Sequence, residues 1–533
     1  MSAIKKLDKF FDKNYKKIFG YGLIAAGVLI ILYYLFFCLK TEIHADCMDT
    51  IMWANASHNA GSLFNENFTY ACLLPFGGQL LMQPFIAIFG LSYKAHIIGM
   101  VLFMVIFVSA LTFMLRSMDI SVLKTGGIVF SLLMFTLASE KLREIFWGHI
   151  IYYSLGLTFL FVGVGLTFVI LKKTDKEDKS VILPAVLLFI WTLLCATDGI
   201  QALTIYILPL CAAVCGYVLF NINENLFTKR NRIIISTAVI LPFAMVCGLG
   251  LLSVLSKDIT QGYASAYSEF NSSDTWFDNL SMLLSAHYTL LGVDVNSNMA
   301  IMSLEGVINV LRIIFASFIA VVPFFGAVFY PKLKRNTQIF TLIYFTVTFL
   351  VMIGWVFGKI SNANWRLVPV ETVGFILTVL LVYELCQKGR YMRLGFTGIA
   401  PIFIYSMISI YVLMGISTDY ENENSVFEEI NLLEENDCTY GYATFWNANI
   451  ATVLSDDNIK VRGVSFEDGV IEPYYYQSQK DWYTGETKPD EKYFILLTRS
   501  EYLNFRSEEY PVENVINSDN FVLLTLSENI SFE

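Results

Sequence analysis

The chain has 533 residues, of which 56% are hydrophobic, 15% aromatic and only 15% charged, with a formal net charge of −10. That balance excludes an ordinary soluble globular domain and requires many membrane spans. The negative charge is concentrated in the C-terminal part and implies no nucleic-acid partner, and the nine cysteines are scattered without a CxxC pair or metal-finger spacing.

In chain order, six lysines precede the first apolar run. That run is longer than a signal-peptide core and lacks a small-residue cleavage site, so it is expected to stay as a span behind a cytoplasmic basic tail, 1–18. A helix needs about 20 apolar residues to cross the bilayer core. Runs that meet or approach this length lie at 19–39, 95–115, 125–139, 154–171, 181–197, 202–220, 233–255, 306–329, 339–357, 367–386 and 395–416, eleven in all. A further stretch, LLPFGGQLLMQPFIAIFG at 73–90, is interrupted by Pro75, Gly77, Gly78 and Pro84 and suits a re-entrant or interfacial segment. Lysine and arginine set the orientation. Loops 116–124, 172–179, 221–232, 330–338 and 387–394 hold fifteen of them, whereas 138–153, 198–201, 256–305 and 358–366 hold five. The N-terminus is therefore expected in the cytoplasm and the C-terminus outside, in a multi-pass plasma-membrane protein. The inner loops are short and no P-loop or GxGxxG follows a strand, so the chemistry is expected on the outer side.

The first external loop, 40–94, opens with EIHADCMDTIMWANASHNAG, which packs Glu42, His44, Asp46 and Asp49 into eight positions. Residues 47–60 are expected to form a helix along the membrane surface, ended by Gly61, with Met48, Ile51, Met52 and Trp53 apolar and Asn55, His58 and Asn59 polar. Asp46 then stands at the helix start and Asp49 a turn further on. Aspartate is a favoured N-cap, so a capping role is one reading. A general base at the outer edge of the membrane is the other, and the two are compatible. EKLREIFWGHIIYY, at 140–153, brings Lys141, Arg143, Trp147 and His149, the histidine reading first as a packed residue beside aromatics. ATDGIQA places Asp198 and Gln201 at a tight turn between two spans. Loop 256–305 holds two short helical stretches, SSDTWFDNL and MLLSAHYTLLG. GKISNANWRLVP places Lys359, Asn362, Asn364, Trp365 and Arg366 before the tenth span. Cations there run against the charge bias; a guanidinium fork matches phosphate oxygens, and snorkelling at the interface is the alternative. Residues 417–533 turn acidic and polar, with strands expected at 460–464, 492–498 and 520–526 and helices at 426–435 and 447–455, a small extracytoplasmic α/β accessory domain. The aromatics of YGYATFWNAN and EPYYYQSQKDWY read first as core packing and second as sugar-stacking surfaces.

The first span with its N-terminus inside, the long external loop opening on an acidic residue, the surface helix after it, the later long external loop and the outer C-terminal domain together resemble the GT-C superfamily of integral-membrane glycosyltransferases. Protein O-mannosyltransferases, aminoarabinose transferases and oligosaccharyltransferases belong to it. The resemblance covers about residues 10–416 and rests on Asp46, fifteen residues before Gly61, on GSLFNENFTYACLLPFGGQLLMQPF, and on NANWRLVPVE at 362–371. The adjacent acidic pair of the mannosyltransferases is absent, which leaves the division of labour between Asp46 and Asp49 open. The resemblance implies an α-helical polytopic fold of about 11 transmembrane helices over 19–416. It also implies transfer of a sugar from a polyprenyl-phosphate donor in the bilayer to an extracytoplasmic acceptor: a cell-wall polymer, glycolipid or protein. Asp46 would be the general base, Arg366 with Lys359 would meet the lipid phosphate, and Asp49, His149, Asp198, Gln201 and Asn364 would contact sugar or acceptor. Some relatives hold a divalent metal on the first-loop aspartate; this sequence shows no multi-carboxylate cluster from which to claim one. A transporter or flippase should show inverted repeats and charges at mid-membrane. Here Arg312, Glu371 and Glu384 are the charges within spans, and no repeat is visible. An O-antigen ligase or polymerase should centre on arginines in its large outer loop, and 256–305 has none.

Overall fold

A computed structural model describes residues 2–221, 228–262, 269–361, 363–387 and 392–532; Asn362 and parts of the loops at 221–232, 256–305 and 387–394 lie outside these. In chain order the principal helices are α1 (Asn14–Glu42), α2 (Asp49–Ala60), α3 (Gly78–Phe89), α4 (Tyr93–Ser117), α5 (Val122–Phe135), α6 (Glu140–Gly148), α7 (Tyr152–Asp175), α8 (Ile182–Ala196), α9 (Ile200–Phe220), α10 (Asn231–Leu255), α11 (Trp276–Leu290), α12 (Leu304–Val328), α13 (Arg335–Phe357), α14 (Asn364–Cys386), α15 (Met392–Met414), α16 (Ser425–Glu435) and α17 (Phe445–Leu454).

Among the described residues nine helices are long and apolar enough to cross a membrane: α1, α4, α7, α9, α10 and α12 to α15. All eleven expected runs are helical, but two are short, although each runs from one end of the bundle to the other. α5 has 14 residues and α8 has 15. At 1.5 Å per residue these reach about 21 and 22 Å against a hydrocarbon core of about 30 Å. After α5 the chain bends by 117° into α6. The cause lies in the sequence. Glu140, Lys141, Arg143 and Glu144 cannot continue into lipid, and the Ser139 hydroxyl caps the new helix at Leu142 N, 3.2 Å away. α8 ends at Ala196, and Gly199, whose φ of +76° lies in the left-handed region, turns the chain into α9. α3 has 12 residues, too few to cross, within the stretch 73–90. α1 and α5 cross where two glycines meet: a Cβ on Gly126 would stand 2.1 Å from the Gly20 carbonyl oxygen.

The loops sort into two ends. At one end Lys172 pairs with Asp119 and Arg335 with Asp175, both at 2.5 Å, and Lys334 N donates to Glu384 at 3.0 Å. These are the basic loops. At the other end Thr41 donates to Ser417 O (2.8 Å), Ser139 to Leu290 O (2.6 Å), Asn271 to Gly358 O (2.8 Å), and Phe76 N to Asp198 (2.9 Å). β1 (Thr69–Tyr70) and β2 (Thr260–Gln261) pair in parallel there and join the two long loops.

The C-terminal residues form a six-stranded sheet from β3 (Tyr440–Thr444), β4 (Lys460–Glu467), β5 (Val470–Pro473), β6 (Tyr493–Thr498), β7 (Val512–Asn517) and β8 (Phe521–Leu526), in the order β5-β4-β3-β6-β8-β7. β3 runs parallel to β4 and β6; the outer pairings are antiparallel. Expected strands at 460–464, 492–498 and 520–526 are all present. β3, β5 and β7 are additional. Tyr440, Tyr442 and Tyr483 are buried in the sheet's core, so most of those aromatics pack rather than face solvent. Trp446, Tyr474 and Tyr475 stay exposed.

Candidate active site

The site grows from the end of α1. The chain leaves the helix extended at Ile43 and His44, makes a 3-10 turn over Ala45–Met48, and enters α2 at Asp49. No side chain caps either start, so neither Asp46 nor Asp49 serves as an N-cap. Both are partly exposed. The surface helix expected at 47–60 is α2, but it does not lie on a membrane surface. Thr50 to Ala54, Ala56 and Ser57 are buried, with α3 against it and α17 against the turn before it. Its register is held by Thr50, which accepts from Ile150 N at 3.2 Å and donates to Ile150 O at 3.1 Å.

α6 supplies the facing wall, in place of the loop expected at 140–153. Arg143 forks onto Glu42, with Nε to Oε2 at 2.7 Å and Nη2 to Oε1 at 2.5 Å, and its Nη1 donates to Leu137 O at 2.9 Å. Tyr34 donates to the same Glu42 at 3.0 Å. Glu144 meets His44 Nε2 at 3.1 Å and Lys141 Nζ. Lys141 in turn lies 4.6 Å from the centroid of the Trp365 ring, at the start of α14 and next to Arg366. His149 donates Nδ1–H to Asp46 O at 2.9 Å, and its Nε2 is left as a buried acceptor.

Charge and burial set the protonation of this cluster. Burial pushes the Asp49 carboxyl well above the usual carboxylate range, and the Asp46 charge adds to that. Burial lowers the His149 imidazole below its ordinary value, against the pull of Glu144. For Glu144 burial acts upward, yet the His44 hydrogen bond and the His44 and Lys141 charges hold it at about 2.

The structure thus gathers Asp46, Asp49 and His149, and Arg366 enters only through its neighbour Trp365, whose ring lies against the Lys141 that pairs with Glu144. Asp198 reaches the same end as an anchor. It accepts from Phe76 N, and a Cβ on Gly77 would meet its Oδ2 at 2.9 Å and Leu155 at 2.0 Å, which is why the PFGG break needs glycine there. Burial raises the Asp198 carboxyl. Gln201 is partly exposed one turn on. Asn364 donates to Thr289 at 3.1 Å, and Lys359 pairs with the exposed Glu269 rather than with the Asp46 cluster. Sequence reasoning assigns no role to Glu42, His44, Glu144 or Gln477. For Glu144 a signal exists: one more carboxylate among the cations of EKLREIFWGH. For Gln477, which bonds to Asp49 and Trp53 more than 400 positions away, no local signal exists.

No protein-family model matches the chain, and no curated protein does. Solved structures that resemble it include two membrane enzymes. ArnT from Cupriavidus metallidurans, bound to undecaprenyl phosphate, aligns over 95% of this chain and 97% of its own, at 10% identity and a TM-score of 0.51. An oligosaccharyltransferase from Archaeoglobus fulgidus, tethered to an acceptor peptide, aligns over 98% of this chain and 75% of its own, at 11% identity and a TM-score of 0.46. The chain shares the fold of that ArnT structure over nearly its whole length, its helices and its C-terminal sheet included.

Proposed function

We propose that the protein is a membrane glycosyltransferase that moves a sugar from a polyprenyl-phosphate donor to an acceptor outside the cytoplasm. The observation that supports it is the partly exposed Asp46 carboxylate, free of any capping role, at the bundle end where the long loops and α14 converge, within a fold of GT-C type. ArnT binds undecaprenyl phosphate, and the same lipid class suits a bundle with Arg366 beside its site.

In this reading an acceptor hydroxyl attacks the anomeric carbon. The C–O bond to the lipid phosphate breaks, and the electron pair leaves with the phosphate. Asp46 takes the hydroxyl proton. Arg366 stabilises the charge on the departing phosphate. Asp49, held toward its protonated form, is the poorer base and acts as Asp46's neighbour. His149, bonded to the Asp46 carbonyl, orients the turn.

The test is transfer from a radiolabelled polyprenyl-phosphate sugar by the protein in nanodiscs. Asp46→Asn is expected to lower the rate by about 10²–10⁴-fold, the range for general acid–base catalysis. Asp49→Asn, which mimics the protonated carboxyl, loses less. Equal rates for wild type and Asp46→Asn would remove Asp46 as the base.

A further inference from the structure

Gln477 lies between β5 and a 3-10 turn at Lys480–Tyr483, within EPYYYQSQKDWY. It is 1% exposed and holds a φ of +54°, a left-handed conformation that residues with a Cβ seldom adopt. Its polar atoms are all engaged. The backbone N–H donates to Thr69 O at 3.0 Å, and the backbone C=O accepts from Asn449 Nδ2 at 3.2 Å. The side-chain Oε1 accepts from Trp53 Nε1 at 2.9 Å, and Nε2 donates to Asp49 Oδ1 at 2.5 Å. Two partners are on α2, one in β1 and one on α17. A strained backbone with each polar atom engaged persists where its surroundings over-determine it, and such sites cluster where function needs fixed geometry.

We propose that Gln477 is a positioning residue for the first-loop carboxylates. Its amide, delivered by the C-terminal sheet domain and steadied by Trp53, fixes Oδ1 of Asp49 as an acceptor and leaves Oδ2 to hold the proton. The sheet domain is then part of the catalytic centre rather than an accessory to it. This rests on Asp46 as base for its catalytic meaning, but not for its test. The titratable groups that act on Asp49 are Asp46 and His44 from the preceding turn and Glu144 from α6, and Asp49 in turn acts on Cys72 beyond β1. None of Asp46, His44, Glu144 and Cys72 is bonded to Gln477 in the described contacts.

An apolar carbodiimide attaches to protonated carboxyls. Labelling of the full chain in native membranes over a pH series, with fragment mass spectrometry at Asp49, reads that proton without any sugar donor. Gln477→Met keeps the length of the side chain and loses both side-chain bonds. Loss of a donor to a carboxylate favours the protonated form, so the labelling midpoint is expected to rise by about one pH unit. A merely structural Gln477 would lower the melting temperature and leave the midpoint alone. If Gln477→Met fails to assemble, Trp53→Phe removes the bond that orients the amide and should move the midpoint the same way by less. An unmoved midpoint in the variant that assembles, or an Asp49 that takes no label at any pH, overturns the proposal. A null effect of Asp46→Asn on transfer would sink the functional reading and leave the labelling result standing.

Discussion

Asp46 and Asp49 stand three positions apart in different surroundings. Asp46 faces the junction with its side chain uncommitted to the helix start, while Asp49 is desolvated under Gln477. The asymmetry sets Asp49, pushed toward its protonated form, apart from its neighbour, and acid–base sites use carboxylates in unlike surroundings. Arg366 belongs to the same scale. Arg366→Ala is expected to weaken binding of undecaprenyl phosphate by about tenfold or more, the worth of one charge-assisted contact, measured by native mass spectrometry; unchanged binding would refute the phosphate role. Glu144 gives a pH prediction. Its ordinary value of 4.5 is lowered to about 2, so its ionisation stabilises the fold above pH 4.5, and that support is lost as the pH falls toward 2. His44 is the complement. Burial lowers it, but the Cys47 sulfur and Glu144 raise it further, so its support is full below 6.5 and fades as the pH rises through its raised value. The melting temperature of the wild type should therefore drop between pH 4.5 and 2, and Glu144→Gln, lower at pH 5, should drop less over that window. Parallel curves would show that Glu144 is not held by its cations. Asp46, Asp49 and His149 are legible in the sequence because carboxylates and a histidine beside long apolar runs are conspicuous. Gln477 is not, because a neutral amide among tyrosines looks like any loop residue until its partners are in view.

Among elements, two of the three wide-bore π-turns of the described residues flank the site: Tyr34–Cys38 lies near the end of α1 and Glu144–Gly148 ends α6, while the third, Leu203–Ile207, lies in α9. Each adds a residue to its turn and rotates the chain beyond it, a device often found at functional sites. The first lies just ahead of Glu42 and the second just after Arg143, which meet in a fork whose side chains are 15% and 5% exposed. Removing one partner strands a buried charge, so Arg143→Ala or Glu42→Ala should each cost about 3–5 kcal/mol, while the neutral pair Glu42→Gln with Arg143→Met should cost less than either. Unfolding in detergent against denaturant measures this, and a double variant worse than both singles would show that the fork itself, not the stranded charge, matters. The spans are legible because twenty apolar residues are a local signal. The shortness of α5 and α8 is not, since it depends on where α6 turns and where Asp198 ties down Phe76. The alternation of apolar and polar residues in α2 suits a membrane-surface helix when only the sequence is considered. Its buried side chains face α3 and the C-terminal domain, partners that a window of sequence does not contain.

At the scale of the whole molecule, the two ends differ in charge and in content. The cations of 116–124, 172–179 and 330–338 gather at one end, and the acidic C-terminal domain, both long loops and the Asp46 cluster share the other. Cytoplasmic loops retain lysine and arginine, so the basic end should face the cytoplasm and the Asp46 end the outside. A donor whose sugar hangs outside the bilayer can be used only from that outer end, which makes the orientation a condition of the proposed reaction. Native Cys47 is a poor probe because it is 1% exposed. Asn59 on α2 and Lys176 after α7 are both exposed, one at each end. Asn59→Cys should react with a membrane-impermeant maleimide on intact cells, and Lys176→Cys only after permeabilisation. The reverse pattern would put Asp46 in the cytoplasm, where no outer-leaflet sugar reaches it, and the glycosyl-transfer reading would fall with it.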